Sequence, residues 1–523
     1  MKTSLRMYPR RRVPLLIATA AAVAILVCST VAAAAGSTAA RKAGAGTAER
    51  STLTVDLPYK VTTLDPDIAG TEQYALDALH LIAATLTVEP PEGGAIRPGL
   101  ATSWSTSDGG LRLSFHLRST HFTNGALVTA SDVVASFERQ LHDPADVNAG
   151  FMGPIVSVSA PNPTTAVFHL RLPYPSWPTI VSEPEFGIFP ASGIANAKQF
   201  FKAPISDGPF KLVSWGGSDT IVMASNPSYY GGTPVVKKVI FDTVPDENTR
   251  LLQVESGQAQ LADSVPTSAL KQSVSGQTHV VANLIYGTMY LFVNDRKPPL
   301  NNVRVRQAMS LVVNRQFLNE ITFFGDGYPS LSFFPRSMPL CNTKHVLSPK
   351  PQVAAAKRLL AGTPCAHGCS FTIMVRSALP PAEQMAVVLK SEFAQIGITA
   401  NVAEVDGTVA DAAESNATFN TEVNFMDDYA DIPDGFLTFG LLSSGGVDAN
   451  FSGYHDPAMD SAIRSVLADS GAARTAELNV VETLYAKDMP YLSLTDMVFV
   501  YATNVPSSVA MFGRTDFLDV SLH

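Results

Sequence analysis

The chain has 523 residues, of which 46% are hydrophobic and 16% charged, and its formal net charge is −9. This apolar content is typical of a globular protein with a large core. Five basic and no acidic residues fall within the first 35, so the remainder carries a net charge of −14. So acidic a chain argues against nucleic acid or an anionic membrane as partner.

Residues 1–35 are predicted to be a secretory signal peptide. Basic residues precede an apolar run from Val13 to Val27, which is short for a membrane span, and small residues precede Gly36. Residues 36–50 are predicted to form a flexible tether. We expect export to the periplasm or the cell surface. Lipid attachment at Cys28 is the less favoured alternative, because a bulky residue precedes this cysteine.

Strand and helix patterns interleave along the rest of the chain. Alternating apolar and polar residues predict strands, and one-sided apolar patterns with capping residues predict helices. The predicted strands cover 111–118, 165–171 and 236–242, and the predicted helices cover 129–139, 303–314, 351–360, 381–396 and 456–467. This mixture predicts an α/β protein.

Clusters of Pro and Gly near residues 85–98, 203–209 and 294–302 are candidate crossings between lobes. A chain that crosses several times forms a hinged pair of lobes with a cleft between them. Ligand sites favour such interfaces. The sequence therefore predicts a two-lobed protein around a ligand cleft.

The cysteines after the signal peptide are Cys341, Cys365 and Cys369. In an oxidising compartment they predict one disulfide and one free thiol, with Cys365 paired to Cys341 or to Cys369. A metal site is the alternative, but no second ligand pair has zinc spacing. We expect neither a bound metal nor another cofactor.

The sequence contains none of the motifs of zinc proteases, P-loop nucleotide binders, serine hydrolases or dinucleotide-binding proteins. The ten histidines are scattered. These observations give no positive support to an enzyme, and we do not expect one.

The most distinctive segment runs from Asn424 to Phe436 and is predicted to be a loop, because Pro433 and Gly435 interrupt it. It places four carboxylates among aromatic residues. They are Asp427, Asp428, Asp431 and Asp434, with Phe425, Tyr429 and Phe436 beside them. Such a loop suits an organic cation or an ammonium group, and a solvated acidic turn is the alternative.

Seven segments, taken in order, resemble family 5 of the ABC-transporter solute-binding proteins, the dipeptide- and oligopeptide-binding type. They are Thr63–Pro66, Arg97–Trp104, Leu111–Arg139, Gly208–Leu212, Asn226–Gly232, Lys297–Ala308 and Tyr454–Asp460. Each is weak alone, but the ordered set covers nearly the whole chain after the signal peptide. The resemblance implies the two-lobed fold of type II periplasmic binding proteins with an additional subdomain.

The same resemblance implies the boundaries of the lobes. Lobe I would comprise residues 51–87, 205–287 and 497–523, the inserted subdomain 88–204, and lobe II 288–496.

The resemblance also implies a ligand site. The acidic segment is similar to a family segment in which an aspartate pairs with the α-ammonium of a peptide, and this places Asp428 in that role. Phe425 stands where the family often has Trp. The implied ligand-binding residues are Asp428, Asp427, Phe425, Tyr429, Tyr290 and Thr71.

The implied function is capture of a peptide or similar solute outside the cytoplasmic membrane. A monomeric binding protein would deliver that solute to an ABC permease and its ATPase subunits. A binder of nickel or metal chelates and a sensor of the same fold are the alternatives. A hydrolase would need a nucleophile and a base that the sequence does not reveal.

Overall fold

The computed structural model describes residues 52–69, 72–89, 95–143, 146, 148, 151–272, 274, 276–338, 344–377, 379–427, 436–444 and 450–505. Several sequence predictions fall outside these residues, namely the signal peptide, the tether, Thr71, Cys341, Asp428 and Tyr429. Only the backbone of Phe425 and Asp427 is described.

The strands are β1 Thr52–Leu57, β2 Thr87–Val88, β3 Arg97–Pro98, β4 Ala101–Ser107, β5 Arg112–Leu117, β6 Ile155–Asn162, β7 Thr165–Leu170, β8 Phe210–Ser214, β9 Thr220–Ser225, β10 Lys238–Thr243, β11 Leu261–Ala262, β12 His279–Val293, β13 Tyr328–Pro329, β14 Cys369–Arg376, β15 Ile398–Val405, β16 Thr421–Asp427 and β17 Tyr491–Thr503.

The helices are α1 Pro66–Ala69, α2 Gln73–Ile82, α3 Ala130–His142, α4 Trp177–Ile180, α5 Ala191–Ile194, α6 Ala197–Phe200, α7 Glu247–Ser256, α8 Val303–Val312, α9 Arg315–Phe323, α10 Val353–Leu360, α11 Pro380–Ala394, α12 Gly407–Ser415, α13 Phe436–Leu442, α14 Pro457–Ala468 and α15 Gly471–Asp488. Every strand and helix predicted above is present, with ends that differ by a few residues. The predicted capping box also forms, since Thr129 N–H donates to Asp132 Oδ2 at 2.8 Å at the start of α3.

Most strands belong to one mixed sheet with the order β15-β14-β16-β12-β17-β11-β1-β10-β9-β8. A separate four-stranded sheet has the order β4-β5-β7-β6. Its alternating burial, with Leu113 and Phe115 inside, is the pattern that predicted strand β5.

Buried apolar side chains form separate clusters. The first is formed by apolar residues of two segments, from Leu53 to Ala83 and from Phe189 to Phe241, together with Leu261 and Val505, and it packs on β1 and β8–β10. The second contains Leu86 to Ile188 and covers the four-stranded sheet. The third contains residues from Ile285 to Val498. We call residues 52–284 with 499–505 the N-terminal body, and residues 285–498 the C-terminal body.

The Thr63–Pro66 segment joins the first two clusters. Arg139 of α3 donates to both carboxylate oxygens of Asp65, at 2.7 and 2.8 Å, and its Nε lies 3.1 Å from Asp67 Oδ2. Burial raises the pKa of Asp67 to about 7, against the opposing effect of Arg139. This segment therefore has a structural role that links α1 to α3.

Candidate ligand-binding cleft

Two long strands carry the described chain from one body to the other. β12 pairs antiparallel with β17 from His279 opposite Thr503 to Phe292 opposite Tyr491, with a register shift between Leu284 and Thr288. On one side β17 pairs with β11, and on the other side β12 pairs with β16. The irregular step at residues 285–287 is therefore the place where the bodies meet, which we call the crossing.

The parallel strands of both bodies point their carboxyl ends at this crossing. β1, β10 and β11 run in the direction of β12, and β14, β15 and β16 run in the direction of β17. These strands end at Leu57, Thr243, Ala262, Arg376, Val405 and Asp427. Ligands of open α/β sheets bind beyond the carboxyl ends of the strands. The space between the two edges is therefore the candidate cleft.

The acidic segment begins at the crossing. Asp427, the last residue of β16, pairs with Gly287 of β12. The prediction that Asn424–Phe436 is loop throughout is wrong at both ends. β16 continues to Asp427 because its backbone pairs with β12, with Phe425 opposite Met289, and α13 already begins at Phe436.

Arg376 anchors the carboxyl end of β14 to neighbouring elements. Its Nε donates to Glu422 Oε1 at 3.0 Å and its Nη2 donates to Glu414 Oε1 at 2.9 Å. Asn424 Nδ2 donates to the same Glu414 oxygen at 3.3 Å. Burial and the adjacent Glu414 carboxyl raise the pKa of Glu422, against the opposing effect of Arg376. Sequence reasoning missed this cluster, because Arg376 is 38 positions from Glu414 and 46 from Glu422.

An exposed aromatic residue lies at the opposite edge. Tyr59 follows the carboxyl end of β1 and is 67% exposed, and its ring centroid lies 6.2 Å from that of Tyr74. The signal for this site was available in the sequence, since Pro58 and Tyr59 directly follow an apolar strand. An exposed aromatic at a cleft edge is suited to cover an apolar part of a ligand.

Tyr290 lies in the core of the C-terminal body. It is fully buried, and its hydroxyl donates to the Phe333 carbonyl at 2.6 Å. Burial raises its pKa well above the usual range. In this conformation its side chain faces packed protein, so its contact with a ligand stays a prediction.

The structure joins Cys365 to Cys369, one of the two pairings that the sequence left open, with a Cα–Cα distance of 4.9 Å.

Among the described residues, no group of three or more His, Cys, Asp or Glu side chains is arranged to hold a metal ion. In the same part of the chain, no helix combines the length and apolarity that a membrane crossing requires.

Two α/β bodies joined by crossing strands, with converging carboxyl edges, define the class of hinged two-lobed binding proteins. Residues 95–449 match the family described as "Bacterial extracellular solute-binding proteins, family 5 Middle". The chain therefore belongs to the family 5 extracellular solute-binding proteins, as its motifs predicted.

One relative and two solved structures show how widely the similarity extends. The chain is 27% identical to the probable di/tripeptide-binding protein 5 of Pseudomonas aeruginosa over 82% of this chain and 88% of that protein. It has the fold of DppA from Helicobacter pylori in complex with the peptide STSA, with TM-score 0.73, 22% identity and coverage of 86% and 93%. It also has the fold of NikZ from Campylobacter jejuni in complex with Ni(L-His), with TM-score 0.75, 20% identity and coverage of 90% and 98%.

The family places the protein among the extracytoplasmic solute-binding components of ABC importers, whose partners are a permease and its ATPase subunits. The predicted fold class and protein class are confirmed.

Proposed function

We propose that this protein captures a peptide in the cleft between its two bodies and delivers it to the ABC permease. The observation that carries the proposal is the start of the acidic segment at the crossing, where Asp427 pairs with Gly287 between the two carboxyl edges. Four carboxylates in that segment suit a solute that presents a free ammonium group. The di/tripeptide-binding relative from Pseudomonas aeruginosa supports the same ligand class.

The proposed mechanism is closure of one body on the other. We assign the N-terminal body to lobe I with its inserted subdomain and the C-terminal body to lobe II. The lobe boundaries that the sequence predicts, after residues 287 and 496, lie within three residues of the limits of the two bodies. Both edges contact a ligand fully only when the cleft is shut, so the ligand shifts the population toward the closed state. The permease could then distinguish the loaded protein from the empty one.

Within the acidic segment we propose that Asp428 pairs with the α-ammonium of the peptide. A closed cleft excludes water, and an unpaired charge there is costly, so the ammonium needs a carboxylate. Removing one partner of such a pair costs roughly 2–5 kcal/mol. Asp428→Asn should therefore weaken binding by at least ~30-fold, because 1.4 kcal/mol is a factor of ten.

The test starts with mass spectrometry of the solute that copurifies from the native host. Calorimetry then compares wild type, Asp428→Asn and the control Asp434→Asn with that solute and with its N-acetylated form. N-acetylation of the solute should weaken its binding to wild type as much as Asp428→Asn weakens binding of the free solute. Acetylation should change the affinity of Asp428→Asn itself little. An unchanged affinity in Asp428→Asn refutes the assignment of this residue. A copurified metal chelate in place of a peptide refutes the ligand class.

We infer that the exported protein begins near Gly36, since the sequence pattern before this residue is that of a signal peptide. N-terminal sequencing of the exported protein tests the cleavage site, and an acylated Cys28 would show lipid tethering instead.

A further inference from the structure

Arg250 of α7 is a buried arginine at the carboxyl edge of the N-terminal body. Its side chain is 2% exposed and makes four hydrogen bonds to backbone carbonyls. Nη1 donates to Val244 O at 2.6 Å and to Pro245 O at 2.9 Å. Nε donates to Asp263 O at 2.7 Å, and Nη2 donates to Ser264 O.

These carbonyls belong to the two segments that directly follow β10 and β11, on either side of β1. Each segment is also bonded to the end of β1, because Val244 N–H donates to Leu57 O at 2.8 Å and Asp263 N–H donates to Asp56 O at 3.0 Å. Arg250 therefore ties together the ends of three adjacent strands at the edge that faces the crossing.

Ser264 shows why this edge needs an anchor. Its φ of +50° lies in the left-handed region, which is unfavourable for a residue with a side chain. The hydrogen bond from Arg250 to its carbonyl helps to hold a backbone conformation that the isolated segment would leave.

A further contact extends from this anchor to the exposed ring of Tyr59. The Tyr74 hydroxyl interacts with the side chains of Ser264 and Asp263, and the Tyr74 ring lies next to Tyr59. Movement of the segment after β11 would therefore move Tyr74, and with it the support of the aromatic residue at the cleft edge.

We propose that Arg250 is a positioning residue for ligand recognition. It holds the segments after β10 and β11 in the shape that the closed cleft requires. Through Asp263 and Tyr74 it also holds Tyr59 in place. The proposal rests on the proposed function, since it assumes that the solute binds between the two edges. An arginine is needed because its planar fork reaches four carbonyls at once, whereas a lysine ammonium has three donors at one point.

The chain offers a matched control in Arg306, which is 6% exposed and also donates to backbone carbonyls, those of Leu300, Asp488 and Met489. These carbonyls lie beyond the end of β12 that is remote from the crossing. Arg306→Lys should therefore perturb a carbonyl cluster of similar size without reaching the cleft.

Two measurements compare wild type, Arg250→Lys and Arg306→Lys. Hydrogen exchange of the ligand-free proteins should show the hydrogen-bonded amides of Val244, Asp263 and Val265 exchanging roughly tenfold faster in Arg250→Lys alone. Calorimetry with the tripeptide Ala-Ala-Ala should show about tenfold weaker binding in Arg250→Lys and wild-type affinity in Arg306→Lys, since preorganisation is lost in the first variant only.

Tyr74→Phe is the second variant, in case Arg250→Lys fails to fold. It removes only the hydroxyl that interacts with Ser264 and Asp263, and it should weaken binding of Ala-Ala-Ala severalfold while the exchange rates elsewhere stay unchanged. The proposal is overturned if wild type binds the tripeptide and both variants bind it equally well, or if exchange at the two segments does not change. A wild-type protein that binds no peptide instead refutes the proposed function, and with it the recognition role of Arg250.

Discussion

Arg474 Nη1 of α15 donates to Ser176 Oγ at 3.1 Å, and both residues are buried. α15 packs in the C-terminal body through Leu478 and Val481, whereas Ser176 precedes Trp177 in the cluster on the four-stranded sheet. Within the described chain the two bodies are covalently joined only through β12 and β17. We therefore expect a hinge motion about these strands to separate Ser176 from Arg474.

The first prediction concerns this contact. Ser176→Ala removes the hydroxyl that accepts from Arg474 and should increase the population of the open form in the ligand-free protein by roughly tenfold, as expected for a hydrogen bond to a charged group. Small-angle X-ray scattering should record a larger radius of gyration. The comparison variant is Asp326→Asn, which weakens a pair with Lys271 (2.9 Å) that also spans the two bodies but is exposed, and it should therefore change the scattering little. Identical scattering curves for Ser176→Ala and wild type would rule out this role.

The second prediction concerns Arg139. Arg139→Leu leaves the buried carboxylates of Asp65 and Asp67 without their cation, and removing one partner of such a network costs about 3–5 kcal/mol of unfolding free energy. Urea denaturation measures this loss. The comparison variant Lys271→Met removes one partner of an exposed pair and should cost no more than ~1 kcal/mol. Equal costs for the two variants would contradict the structural role of the Thr63–Pro66 segment.

The third prediction is a pH dependence of stability. Asp207 is almost fully buried, and this burial raises its pKa from 3.8 to about 7. Between these values the folded protein retains a proton that the unfolded chain releases. The free energy of unfolding therefore falls as the pH rises from about 4 to about 7, and the loss is complete above that range.

Asp207→Asn should remove this contribution, because an asparagine does not titrate and its Oδ1 can still accept from Ala84 N–H, a bond of 3.1 Å in the wild type. Relative to wild type, the variant should gain on the order of a few kcal/mol between pH 4 and pH 8. Urea denaturation at a series of pH values measures the difference. Asp219→Asn, at an exposed carboxylate, should follow the wild-type curve. If the free energy of unfolding of Asp207→Asn runs parallel to that of wild type across the pH series, Asp207 does not titrate in this way.

The fourth prediction is that peptide mapping without reduction recovers the Cys365–Cys369 bridge and a free thiol at Cys341. Two cysteines separated by four positions and placed 4.9 Å apart at Cα are within disulfide reach. A bridge to Cys341, three free thiols, or stoichiometric zinc in protein purified without chelator would each contradict this pairing.

Residue patterns within single elements were enough to predict the helices, the strands and the family. Periodicity placed β5, β7 and β10 and the helices from α3 to α14 that it predicted, because burial of one face repeats at short range. The Thr129–Asp132 cap and the acidic composition of Asn424–Phe436 could also be read from the sequence, because each is a pattern of neighbouring residues. Seven motifs in order identified the family, although none of them revealed which distant residues its own residues contact.

Contacts between residues that are distant in the chain could be read from the folded protein alone. The pairing of Arg139 with Asp65 spans 74 positions and that of Ser176 with Arg474 spans 298, and no local pattern encodes either partner. The burial of Tyr290, the four carbonyls around Arg250 and the meeting of Asp427 with Gly287 likewise depend on strand order and direction. These are set by packing of the whole sheet, whereas propensity and periodicity act within one element.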